Sequence, residues 1–222
     1  MWKDYEKTDK IDENFREGSV KDHIISVLEQ ADDESPLIKL AALFHDVGKP
    51  ATYKDREGKK TFYGHDAVGV KIFNDIADRM KISNNERSAI NFAIGGHMKM
   101  HSFCEMRDSK CVTMMEDKNW EVLKAVSFAD DKSRIFAFNE TEHQQIVDKI
   151  KRLETVVIQN KTAKLFLNGN LVMDYCGIKG KIIGDVLAKV REYVINNNID
   201  VTTPEGKQKV YEQLDKYKAG KK

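Results

Sequence analysis

The stretch Leu37–Val47 constrains this chain most, because only Lys39, His45 and Asp46 interrupt a run of apolar side chains. A helix that is apolar on every side must be buried on every side, so this segment predicts a central helix around which others pack. Gly48 is placed to supply a left-handed cap, and Pro50 to prevent the helix from continuing. His45 and Asp46 then fall in the last turn of the most buried helix in the chain. An ionised aspartate there is costly to desolvate unless it is paired or ligates a cation.

The rest of the sequence supplies helices to pack against it. Only three prolines break 222 residues, 33% are charged, and Lys, Glu, Leu, Ala and Ile dominate, which favours an all-α fold over a sandwich or barrel. Ser19 is a plausible N-cap, followed by Val20, Ile24, Val27 and Leu28 at helical spacing. Pro36 suits the first position of the central helix. Further helices are expected over 66–80, 84–95 (capped by Ser83 or Asn84), 119–130, 140–159, 184–194 and 204–217. A polar loop is expected over 54–60, and Gly95-Gly96 is expected to interrupt its helix. The Met-rich segment 98–118 is mixed in character and predicts no single element. Asn168-Gly169-Asn170 marks a turn and Gly177–Gly184 a bend. The organisation read from this is a polar segment 1–18, a domain over 19–159 and a smaller C-terminal helical region over 160–222.

Composition narrows the partners. The formal net charge is +1, so no global attraction to nucleic acid or anionic membrane operates. The basic tail (Lys207, Lys209, Lys216, Lys218, Lys221 and Lys222) can contact phosphates or stand as a solvated terminus. Cys104, Cys111 and Cys176 form no CxxC pair, which fits a reducing cytosol rather than a secreted scaffold. No export segment or long apolar run is present, so a cytoplasmic protein without membrane contact is expected.

Six histidines occur: His23, His45, His65, His97, His101 and His143. Taken singly, an inward histidine is most simply a hydrogen-bonded core residue. The dipeptide His-Asp is also weak alone, since it recurs at His65-Asp66. Context raises its meaning. Adjacent helical residues differ in direction by about 100°, so His45 and Asp46 can both reach one ion beside the helix end. Leu123, Val126 and Asp130 share one helical face, which points the Asp130 carboxylate inward, while Asp131 is rotated towards solvent. Imidazole with carboxylate suits Mn, Fe, Co, Ni or Zn, and Mg less well. Such a divalent ion acidifies a water and polarises a phosphoryl oxygen.

The segment Ala41-Ala-Leu-Phe-His45-Asp46-Val-Gly48-Lys49 resembles the A-x-L-x-H-D-x-G-K signature of the HD phosphohydrolase superfamily. His23 stands upstream and Asp130 downstream, in that family's order. The resemblance implies a helical HD bundle in which His23, His45, Asp46 and Asp130 are the metal ligands. Gly48-Lys49-Pro50, Phe62-Tyr-Gly-His65-Asp-Ala-Val-Gly69 and Gly96-His97 further resemble the HD domain of bacterial CCA-adding tRNA nucleotidyltransferases. Leu167–Met173 and Gly177–Leu187 resemble the helices that adjoin it, although Asn170 stands where that family has Asp. No Gly-Ser loop followed by a D-x-D pair is found, so the chain reads as the HD portion without a nucleotidyltransferase head. The resemblance implies a phosphatase or phosphodiesterase acting on 2′-nucleotides and 2′,3′-cyclic phosphates, chemistry suited to RNA ends.

Around this centre Asp46, Lys49, His65 and His97 are the candidate catalytic residues. Lys49, His65, His97 and Arg134 are candidate substrate contacts; His65 and His97 can bind substrate phosphate or a second metal, with one ion and histidine-assisted phosphate binding as the simpler arrangement. Lys49 can instead pair with Asp46 or stand at the surface. A zinc site of His97, His101, Cys104 and Cys111 is disfavoured by its spacing. Gly177–Gly184 is either a plain inter-helix turn or a backbone cradle for an RNA phosphate. Two other readings stay open: a deoxynucleotide phosphatase or cyclic-nucleotide phosphodiesterase, and an RNA-binding module with a vestigial HD site.

Overall fold

Ser19 opens the first helix with a reciprocal cap: its hydroxyl accepts from the Asp22 amide (3.1 Å), and Asp22 accepts from the Ser19 amide (3.2 Å). The helix that follows, α1 (Val20–Gln30), buries Val20, His23, Ile24 and Val27 on one stripe. These positions come from a computed structural model that describes residues 19–56, 59–134 and 138–218. The polar segment 1–18 and the tail residues Lys221 and Lys222 lie outside the described residues.

Helix α2 (Pro36–Phe44) is the central helix, with Pro36 in its first turn and Ser35 as cap. Short helix α3 (Lys49–Thr52) follows, then a hairpin of β1 (Lys54–Arg56) and β2 (Lys59–Thr61). Next come α4 (His65–Met80), α5 (Asn84–His101), α6 (Asp108–Met115), α7 (Trp120–Ser133) and α8 (Glu140–Phe166). The chain ends with α9 (Gly169–Cys176), α10 (Ile182–Asn196), α11 (Pro204–Leu214) and a 3-10 turn, Asp215–Tyr217. The fold is all-α apart from the hairpin. No described helix is long and apolar enough to cross a membrane.

Two compact units divide these elements. The first holds the described residues up to Cys104 together with Lys118–Gln145. Its core gathers Phe44, Phe73, Ile90, Ile94 and Val126 from α2, α4, α5 and α7, with α5 packed against α4, α2 and α7. The second holds Glu105–Asp117 and the chain from Ile146 onward. Its core gathers Leu167, Val172, Val190, Val210 and Leu214, and α6 packs on α10.

Several local expectations are corrected. Gly48 is not left-handed (φ −82°, ψ −15°); the central helix ends before Pro50 as expected, at Phe44, and Pro50 lies in the first turn of α3. Gly48 is required by proximity instead: a Cβ there would meet the His65 carbonyl oxygen at 2.0 Å and the Gly69 nitrogen at 2.7 Å. Gly95-Gly96 does not break α5, because a Cβ on Gly96 would meet the Leu123 side chain at 2.9 Å; the missing side chain makes room for packing. The polar loop over 54–60 is a two-stranded hairpin with Lys54 opposite Thr61. The segment 98–118 contains the end of α5 and all of α6.

Candidate metal centre

Five helices of the first unit deliver the candidate residues to one place. His23 comes from α1, His45 and Asp46 from the turn that ends α2, His65 from the start of α4, His97 from α5 and Asp130 from α7. All six are buried.

Local hydrogen bonds aim the imidazoles. His45 Nδ1 donates to the Ala42 carbonyl (2.7 Å), His65 Nδ1 to Phe62 (2.9 Å) and His97 Nδ1 to Ile94 (2.8 Å). Each acceptor lies three residues earlier in the chain. His23 Nδ1 faces the Ser133 hydroxyl at 3.5 Å, and that hydroxyl donates to the Asp130 carbonyl at 2.6 Å. Pinning the Nδ1 proton outward leaves Nε2 facing inward as a base, the arrangement usual for metal-binding histidines.

The inward atoms form two groups joined by Asp46. In the first, His23 Nε2 lies 3.3 Å from His45 Nε2, 3.3 Å from Asp46 Oδ2 and 3.2 Å from Asp130 Oδ1, and His45 Nε2 lies 3.3 Å from Asp46 Oδ2. In the second, His65 Nε2 lies 3.0 Å from His97 Nε2 and 3.2 Å from Asp46 Oδ1, with His97 Nε2 3.6 Å from that oxygen. Donors at right angles roughly 2.1 Å from one cation lie about 3.0 Å apart. The separations therefore suit a small divalent ion in each group. Both Asp46 oxygens and Asp130 Oδ1 also lack a well-directed hydrogen bond despite being buried. Lys49 meets Asp46 Oδ2, but Asp46 Oδ1 and Asp130 Oδ1 face imidazole nitrogens; imidazole bases and carboxylate oxygens converging in this way are costly without a shared positive charge, so the residues fit divalent metal.

The electrostatics agree. Burial disfavours protonated His23, yet hydrogen bonds to Asp130 and Asp46 outweigh it and lift its pKa to about 9. Burial also opposes ionised Asp46, but the charges of Lys49 and His45 hold its carboxyl well below the ordinary range. For Asp130, hydrogen bonds with His101 and His23 overcome the same penalty. His65 and His97 split: burial wins at His97 and lowers it, whereas Asp46 outweighs burial at the more open His65 and raises it.

Three cationic or polar side chains border the donor cluster. Lys49 Nζ pairs with Asp46 Oδ2 (2.5 Å), one of the arrangements expected for it. Arg134 Nη2 reaches Asp130 Oδ2 (3.3 Å) and His101 Nε2 (2.9 Å). His101, outside the candidate set except in the zinc reading, was signalled by its four-residue spacing from His97. Asp131 keeps 25% of its side chain exposed and accepts from His143 Nδ1 at 2.7 Å, with Phe128 and Phe138 packed on the imidazole. Among the described residues, no cluster of metal-ligating atoms includes His101, Cys104 or Cys111.

Comparisons with known proteins concentrate on the same region. Residues 15–134 match the family described as HD domain. A Multifunctional CCA protein of Legionella pneumophila is 32% identical over 83 residues, covering 37% of this chain and 20% of the relative. An A-adding tRNA nucleotidyltransferase of Deinococcus radiodurans is 32% identical over 90 residues, covering 38% and 21%. A Multifunctional CCA protein of Mannheimia succiniciproducens is 23% identical over 161 residues, covering 66% and 38%. The matches thus span between a fifth and two fifths of these curated relatives. No solved structure gives a significant match.

Proposed function

The chain belongs to the HD domain family, that of metal-dependent phosphohydrolases, and from that premise we propose that it hydrolyses phosphate esters on nucleotides or RNA ends. The observation that carries the reading is the two-faced Asp46 carboxylate, with Oδ2 towards His23 and His45 and Oδ1 towards His65 and His97. In this reading His23, His45, Asp46 and Asp130 hold one ion, and Asp46, His65 and His97 hold a second. This goes beyond a single ion with histidines bound to phosphate. Mixed nitrogen and oxygen donors suit Mn, Fe, Co, Ni or Zn over Mg.

When bound, such ions acidify water and polarise a phosphoryl oxygen. The chain's own residues arrange the rest. Nδ1 hydrogen bonds keep the imidazoles aimed, Lys49 offsets charge beside Asp46, and Arg134 offers a guanidinium beside Asp130. The low exposure of the inner donors keeps bulk water from competing for them.

The relatives' names speak of CCA and tRNA, which supports an RNA-end substrate such as a 2′-phosphate or a 2′,3′-cyclic phosphate. Contact with RNA through Gly177–Gly184 belongs to the same reading. Gly177 and Gly180 are left-handed there, and Lys181 gives α10 no side-chain cap. The basic tail is less available: Lys218 pairs with Asp215 at 2.7 Å and lies over Tyr175, and Lys216 bonds Gln213 at 2.6 Å. Turnover of 2′,3′-cyclic AMP, 2′-AMP and deoxynucleoside triphosphates with Mn, Ni, Co and Mg tests the proposal. Cleavage of the first two is expected; preference for the triphosphates would redirect it to deoxynucleotides. Tight RNA binding without turnover of any ester would leave a binding module instead.

A further inference from the structure

Asp130, like Asp46, has two differently occupied sides. Oδ1 faces His23 Nε2 at 3.2 Å, while Oδ2 meets Arg134 Nη2 at 3.3 Å and His101 Nε2 at 3.5 Å. The exposures differ as well. The side chains of His23, His45, His65, His97, Asp46 and Asp130 are 7% exposed or less, whereas those of His101 and Arg134 are each 29% exposed. A ligand entering the centre on the Asp130 side therefore meets this pair before it meets the inner donors.

The contact lengths indicate what the pair is built for. Charge-assisted hydrogen bonds that fix a carboxylate are commonly about 2.7–2.9 Å long. Arg134 stands farther than that from Asp130, and the shortest of its contacts named here is the 2.9 Å bond to the His101 imidazole. An anionic oxygen in place of that imidazole contact strengthens the guanidinium's bonding and leaves the imidazole free to donate, as it does towards Asp130. The ends of α5 and α7 carry the two side chains, so neither is held in the apolar core and both can adjust to a ligand.

We propose that His101 and Arg134 form a phosphate subsite that makes the centre favour a dianionic phosphomonoester over a monoanionic cyclic diester. The inference rests on the phosphohydrolase reading above. A phosphomonoester carries close to two negative charges and three acceptor oxygens, enough to engage the inner donors' cations and the Arg134–His101 pair together. A cyclic diester has one charge and one fewer free oxygen, so it gains less from the outer pair. His101 is thereby a specificity-determining contact, and Arg134 contributes the charge.

The test uses the whole 222-residue chain loaded with Mn, carrying His101→Ala, Arg134→Ala or Arg134→Lys. Inorganic phosphate binding is followed by calorimetry, bound metal by elemental analysis, and kcat/KM on 2′-AMP and 2′,3′-cyclic AMP. Expected are unchanged metal content, phosphate affinity weakened about tenfold by His101→Ala and more by Arg134→Ala, and partial recovery with Arg134→Lys. The monoester-to-diester ratio of kcat/KM should fall by a similar factor. Phosphate affinity equal to that of the parent in all three variants overturns the subsite. So does metal content that falls in step with phosphate binding, which would make the pair positioning residues for Asp130. If the parent protein takes up no metal and cleaves neither ester, the phosphohydrolase reading itself fails, and this inference with it.

Discussion

In the first unit five histidines and two aspartates are buried beside residues such as Phe73, Ile94 and Leu123. In the second, the buried side chains among the described residues are aliphatic or sulfur-containing, or uncharged and polar at Ser109 and Asn160. Both units use capped helices and a close-packed centre, so helix formation does not separate them. What separates them is the source of stability. Apolar burial contributes steadily in the second unit, while in the first a set of ionisable groups opposes burial until a cation satisfies them. Stability in one then rests on packing alone, and in the other, under the proposed function, on packing and ligand together.

That contrast can be broken at several points, the most severe first. Asp46→Ala removes the carboxylate common to both donor groups; elemental analysis should find metal lost and turnover should fall at least about a thousandfold. Stoichiometric metal retained in that variant would show the centre is not organised around Asp46. Leu214→Ala, in the fully buried core of the second unit, should cost about 3 kcal/mol in denaturant unfolding while metal content stays whole. Gly48→Ala should cost the first unit about 2–3 kcal/mol, since the new methyl meets backbone at His65 and displaces His65 from its partners. Chelation should lower the melting temperature of the first unit only, by an amount worth about 2.7 kcal/mol when metal had stood at a hundred times its dissociation constant.

The smallest effect belongs to the second unit's surface. Arg152 forms two bonds to Asp108, at 2.7 and 2.9 Å, which hold its carboxyl below the ordinary range. A depressed folded-state pKa contributes stability above the unfolded value, and that contribution is lost as pH falls through the folded one. Asp108→Asn should therefore cost at most about 1 kcal/mol near neutral pH, with the gap to the parent closing in acid. A gap that persisted at the acid end would assign it to packing rather than charge.

Much of the first unit is legible in the chain because its signals are local. Ser19, Pro36 and Ser83 mark helix starts, and the apolar run before His45 identifies the central helix. The inward face of Asp130 follows from its spacing to Leu123 and Val126. Features set by partners distant in sequence were not legible. Gly48 is shaped by the backbone of His65, and Gly96 by Leu123; glycine's local meaning, a turn or a break, misleads at both. Asp131 gains His143 from another helix, and His101 acquires its place only through Arg134. His65 and His97 were legible as candidates through the motifs that hold them, but not their 3.0 Å approach across 32 residues, which no helical period links.

The Nδ1 bonds of His45, His65 and His97 each reach back three residues along the chain. Orientation is thus written in a four-residue word, carbonyl first and imidazole last, and it does not wait for the distant wall of the pocket to arrive. Such words are portable. An aimed histidine can be gained, lost or moved to another helix without redesigning its neighbours, and a centre assembled from them can change its number of ligands one word at a time.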